Sequence, residues 1–140
     1  MTEDEQAIYA RVLPVVKRCV AESLALSEDE VVADKRLIDD LGADSLDFVD
    51  IVFMLDRELD IRVRDTEFNF LTRLDFSSPD VMKNGHLTAE VVDKLGRWLP
   101  EMAKVEDKTT ITPRKLFSLI TVESIGIVAA RRLAERAREA

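Results

Sequence analysis

The chain has 140 residues, 46% of them hydrophobic and 6% aromatic, enough for one sizeable core, and its four glycines and four prolines favour a mostly helical one. The formal charge of −8 is concentrated in residues 1–60, which hold 16 acidic and 6 basic groups, net −10, and leave +2 for the remainder. Such a field repels nucleic acid and favours proteins with basic docking patches, the lone Cys19 excludes an intramolecular disulfide, and no apolar run approaches the roughly 20 residues of a bilayer span.

In chain order, Met1-Thr2-Glu3-Asp4-Glu5 lacks the basic and apolar regions of a signal peptide, so a cytoplasmic protein without membrane insertion is expected. Thr2 and Glu5 have capping-box spacing, and Ile8, Val12, Val15, Cys19 and Val20 recur at helical intervals to about Leu24. Pro14 complicates that helix, because an interior proline costs roughly 3 kcal/mol whereas one in the first turn is tolerated. Either the helix kinks there, or a short arm over residues 3–11 precedes a helix that begins near Leu13. Cys19, between Val16 and Val20, reads as a small buried thiol. Ser27-Glu28-Asp29-Glu30 is an exposed turn, and the long connection to Asp44 is anchored by Val31, Val32, Leu37, Ile38 and Leu41.

The next stretch organises the chain. Gly42 can supply the positive φ of a tight turn, Asp44 is a good N-cap, and Ser45 to about Asp60 contains neither proline nor glycine, which predicts one uninterrupted helix. Phe48, Ile51, Val52, Leu55 and Leu59 share one narrow stripe of it and, with Ile61, should face the core. Opposite lie Leu46, Asp50, Phe53 and Arg57. Two apolar side chains thus face water among Asp47, Asp50, Asp56 and Asp60, a pattern that marks a docking surface. A serine in the first helical turn also stands beside unpaired backbone N–H groups and the positive end of the helix dipole, which suits Ser45 to hold a phosphate.

Beyond Asp60 the pattern loosens. Asp65 to Leu71 could form a short helix, Ser77-Ser78-Pro79-Asp80 and Asn84-Gly85 are turn signals, and Thr88 can cap a helix that runs to Leu99 before Pro100 stops it. Residues 101–111 read as a linker of mixed charge, and Thr112-Pro113 as a helix start leading into Leu116, Phe117 and Ile120. His86, the only histidine, is expected in an exposed turn, and Trp98 and Phe117 as packing residues. The last helix opens at Thr121-Val122-Glu123-Ser124-Ile125, with Val122, Ile125, Ala129 and Leu133 on one face and arginines toward its end, where they suit the dipole.

Asp44-Ser45-Leu46 after a Leu-Gly turn, followed by an acidic amphipathic helix, resembles the acyl carrier protein (ACP) family. The run from Ile38 to Val63 is similar in particular to specialised carriers of very long acyl chains for lipid A. The Thr-Val-x-x-Ile start of the last helix looks like the family's closing helix. The resemblance implies an all-α, acyl-carrier-like four-helix bundle in a single domain, with a core over about 1–65 and 121–140 and an inserted helical segment over about 66–120. It also favours a first helix over roughly Val12 to Leu24. Ser45 would carry 4′-phosphopantetheine, with Asp44 near the attachment reaction, and acyl groups would be held as thioesters in fatty acid or lipid biosynthesis. No catalytic residue and no metal is implied. Leu46, Asp47, Asp50, Phe53, Asp56 and Arg57 would meet partners: a phosphopantetheinyl transferase, and an acyl-ACP synthase, ketoacyl synthase or acyltransferase. Phe48, Ile51, Val52, Leu55, Leu59 and Ile61 would line an acyl cavity, and a monomer is expected.

Three other readings compete: a carrier for polyketide or aminoacyl groups, a carrier-like scaffold that never takes the arm, and a hydrolase with Ser45 as nucleophile. For the last, Ala43 interrupts the Gly-Asp-Ser-Leu motif and His86 is the only available imidazole base. The insertion has three readings of its own: a wider cavity for bulky cargo, a docking surface for a dedicated enzyme, or a stabilising elaboration.

Overall fold

A computed structural model describes residues 2–63 and 67–139, leaving out the side chains of Ser45 and Thr72. Helix α1, Glu3–Leu24, starts at Thr2, whose Oγ1 accepts from the Glu5 N–H at 3.1 Å. It runs unbroken through Pro14, so the arm over residues 3–11 is not separate: those residues belong to the same helix. Pro14 and Ala10 are both exposed, so the carbonyl that loses its partner meets water, while Val12, Val16, Cys19 and Val20 are buried on the opposite side. Each such side chain contributes about 1.5–3 kcal/mol, together more than one proline costs.

A 3-10 turn at Glu28–Glu30 and a long loop lead to α2, Ser45–Leu59. Val31 and Leu37 are buried and Ile38 and Leu41 half-buried, but Val32 is exposed and anchors nothing. Backbone bonds do the rest. Leu37 N–H donates to the Ile120 carbonyl at 2.9 Å, Val122 N–H to Lys35 at 3.1 Å and Glu123 N–H to Ala33 at 2.8 Å. The loop is thereby sewn to the start of α6, Val122–Glu139.

Helix α1 packs against both α2 and α6. Gly126 makes the second contact close: a Cβ there would lie 2.8 Å from Tyr9 Cε2, so any other residue would require that ring to shift. Thr121 and Ser124 cap α6 reciprocally, Thr121 N–H donating to Ser124 Oγ at 3.0 Å and Ser124 N–H to Thr121 Oγ1 at 3.1 Å. Both are buried, as is every residue from Ser124 to Ala130, so α6 is enclosed well beyond the single face the sequence suggests. At the far end Arg136 donates to the Asp60 carbonyl and lies 3.6 Å from its carboxylate, tying α6 to the end of α2.

The segment between α2 and α6 begins with α3, Glu67–Thr72; the part of the expected helix before Glu67 lies outside the described residues. An antiparallel hairpin follows, β1 (Met82–Lys83) and β2 (His86–Leu87), turning on Asn84 (φ 56°) and Gly85 (φ 84°). Two positive φ values in succession make the primed turn that matches strand twist. This hairpin is the only sheet among the described residues, and it places His86 half-buried on a strand instead of in an exposed turn. Thr88 stands at the start of α4, Ala89–Gly96, but its hydroxyl donates backward to the Asp80 carbonyl at 2.9 Å. Helix α4 stops at Gly96, short of Leu99, and a 3-10 turn at Pro100–Lys104 occupies part of the expected linker. Helix α5, Pro113–Ser118, starts as its Thr-Pro signal indicates, with Thr112 Oγ1 accepting from Lys115 N–H at 3.2 Å.

An edge-to-face relay joins this segment to the bundle. Phe48 of α2 meets Phe68 of α3, and Phe68 meets Trp98, each pair with ring centroids 5.3 Å apart. Trp98 is fully buried, and Phe117 packs against Phe76, so both are packing residues. Buried Leu71, Leu95, Leu99, Ile111 and Leu116 continue one hydrophobic cluster with Ile51, Leu55 and Val128.

Candidate functional site

The start of α2 is built locally. Gly42 has φ 77° and open space around it, as a turn glycine requires. Asp44 Oδ1 accepts from Asp47 N–H at 2.9 Å and Asp47 Oδ2 accepts from Asp44 N–H at 3.0 Å, a reciprocal capping box. Phe48 N–H bonds to the Asp44 carbonyl at 3.1 Å. The N–H groups of Ser45 and Leu46 are left with no acceptor inside the helix, as at any helix start. Ser45 is therefore the first helical residue, over two N–H groups and the positive dipole end, directly after an open glycine turn. The backbone fits a phosphodiester on this serine, although its hydroxyl lies outside the described side chains.

The two faces of α2 divide as their spacing requires. Phe48, Ile51, Val52 and Leu55 are buried, and Ile61 beyond the helix joins them. Leu59 is half-buried and lines a cleft of about 320 Å³ with Ile8, Val12 and Leu133, at the end of α2 away from Ser45. On the outer face Leu46 is 74% exposed and Phe53 50%. Val49, at 40%, completes an i, i+3, i+7 apolar row that the sequence reading missed, although 100° per residue places it beside Phe53.

Charged residues round this row have distinct duties. Asp50 and Arg57 border a cleft of about 340 Å³ with Glu22, Phe53 and Met54, between the end of α1 and α2. Asp47 is half-buried and spends one carboxylate oxygen on the cap. Asp56 turns away from the outer face: it is half-buried, and its Oδ1 accepts from Val63 N–H at 2.6 Å, which fixes the turn after α2. Cys19 is buried close by, its thiol pushed up by burial and then by Glu58. His86 belongs to a cleft on the hairpin with Lys83, Thr88 and Lys108, to which α2 contributes no residue, so the structure does not bring Ser45 and an imidazole together. No described helix is long and apolar enough to cross a membrane.

No solved structure matches the chain. Residues 14–76, somewhat under half of the 140, match a family model described as a phosphopantetheine attachment site. That stretch holds the second half of α1, the sewn loop, all of α2 with its capped start, and all of α3. The family attaches a 4′-phosphopantetheine prosthetic group, and such domains are generally carriers and not catalysts, so the match supports reading residues 14–76 as a phosphopantetheine carrier.

Proposed function

We propose that the protein carries acyl intermediates of fatty acid or lipid biosynthesis as thioesters on 4′-phosphopantetheine at Ser45, and that its cargo is long or unusual acyl chains. The observation that carries this reading is the family match over residues 14–76 together with Ser45 as the first residue of a capped helix behind an open glycine turn. The chain's own contribution is positional. Gly42 clears the approach, Asp44 and Asp47 fix the helix start, and two backbone N–H groups face the phosphate. Leu46, Val49 and Phe53, with Asp50 and Arg57 beside them, are the surface offered to the transferase and to acyl-processing enzymes with basic patches. The core stripe of Phe48, Ile51, Val52, Leu55 and Ile61 is the apolar lining available to cargo, and each sequestered CH₂ is worth about 0.8 kcal/mol.

The test is intact mass after incubation with coenzyme A and a broad-specificity phosphopantetheinyl transferase, beside Ser45→Ala. A gain of one phosphopantetheine on the wild type alone is expected. Partner binding that survives Ser45→Ala, with no mass gain on the wild type, would instead favour a scaffold.

A further inference from the structure

A second surface lies on the far segment, outside residues 14–76. Helix α4 and the turn at Pro100–Lys104 enclose a groove of about 490 Å³ whose lining is mainly apolar. Val92, Gly96 and Met102 form its floor, and exposed Ala89 and Ala103 its walls. Gly96 has no positive φ to require it, and a Cβ there would meet Met102 Cγ at an ordinary 3.6 Å. A glycine is a weaker helix former than alanine. Its consequence here is an open floor. The rim is mostly cationic. Arg97 and Lys108 border the groove, and Lys108 is shared with the adjoining hairpin cleft of Lys83 and His86. Asp93 is the one carboxylate among the groove residues, 3.6 Å from Arg97.

The complement stands on the same molecule. The α2 row Leu46, Val49, Phe53 is an apolar ridge at helix-in-groove spacing, bordered by Asp50, in a half of the chain with net charge −10. Arg57, the only basic residue in α2, has its counterpart in Asp93. We propose that α2 of one copy seats in the α4 groove of a second copy. No residue belongs to both patches, which allows the contact to be head to tail, and in that arrangement each copy presents one ridge and one groove to further copies. Assembly covers the face that Proposed function assigns to partner enzymes, so concentration would regulate its availability. The association itself does not require that assignment.

Sedimentation equilibrium of the full chain across a concentration series at low and high salt tests this, with Phe53→Asp removing the ridge and Gly96→Leu or Ala103→Glu blocking the groove. All three substituted positions are exposed, and far-UV circular dichroism checks each fold. The expected result is a wild-type mass that rises past the dimer at low salt and falls at high salt, with at least tenfold weaker association in each variant. Mixing Phe53→Asp with Gly96→Leu should restore one contact, groove of the first to ridge of the second, and stop at a 1:1 dimer. A wild type that stays monomeric, association that persists unweakened in any of the three single variants, or a mixture that fails to pair would each overturn the proposal. Phosphopantetheine loading at Ser45 is read separately by mass, so failure of one does not imply failure of the other.

Discussion

Asp44 shows how a single side chain positions the site: it ends the loop, receives the Asp47 N–H and sets Ser45 at the first helical position. Asp44→Ala should cost about 1 kcal/mol, the usual loss for an N-cap, seen as a lower urea midpoint with unchanged slope. Glu67 argues in the opposite sense. Its Oε2 is buried with no hydrogen-bond partner among the described residues. Burial raises its carboxyl above the ordinary 4.5, an effect that Arg131 offsets and Glu135 adds to. A raised folded value means that the folded state binds the proton more readily, so stability is fully present below about pH 4.5 and is lost as pH rises through the raised value. Glu67→Gln should match the wild type at pH 4 and exceed it at pH 7, by less than about 1 kcal/mol because the side chain is half-exposed. Thermal melts at both pH values check the sign. Residues whose partners are near in sequence were legible: the Thr2, Asp44 and Thr112 caps all appear where their motifs stand. Asp56 was not, because an exposed-looking aspartate on the helical wheel gives no sign that the chain will curl back to bring Val63 N–H to it.

At the level of elements, α2 was legible from its periodicity, and α1 from everything except Pro14. Local propensity argues for a break at that proline, whereas burial of α1 against two helices carries the helix through it. Pro14→Ala should therefore stabilise the protein by about 1–2 kcal/mol: restoring the hydrogen bond and removing the ring clash return roughly 3 kcal/mol, less the gain in unfolded-chain freedom. Were Pro14 in the first turn of a shorter helix, the same change would be neutral or destabilising, so chemical denaturation separates the two architectures. The hairpin and the early end of α4 were hidden for another reason. Asn84-Gly85 announces a turn, but strands of two residues each are too short to show alternation, and they are held from outside by Leu87 N–H donating to the Ile111 carbonyl at 2.8 Å. The sewing of the 33–37 loop to residues 120–123 is likewise invisible in sequence, since backbone bonds leave no residue signature.

On the scale of the whole molecule, the question is whether the segment between α2 and α6 is an appendage or part of the core. Phe68 stands at the junction, in contact with Phe48 on one side and Trp98 on the other, and is itself fully buried. The loop sewn to residues 120–123 adds a second tie, close to where the segment rejoins the bundle. Cooperative units form where buried apolar contacts are continuous, and this cluster runs without interruption from α1 to α5. Trp98 is the only tryptophan, so its fluorescence reports on the segment between α2 and α6 while far-UV circular dichroism is dominated by α1, α2 and α6. In a denaturant titration the two signals should trace one coincident transition. Phe68→Ala, which empties the middle of the relay, should lower stability by about 3–5 kcal/mol and move both curves together. If fluorescence were lost at lower denaturant than helicity, in the wild type or only in the variant, the segment would be a separately melting unit resting on the bundle, and Phe68 would be its hinge instead of a shared core residue.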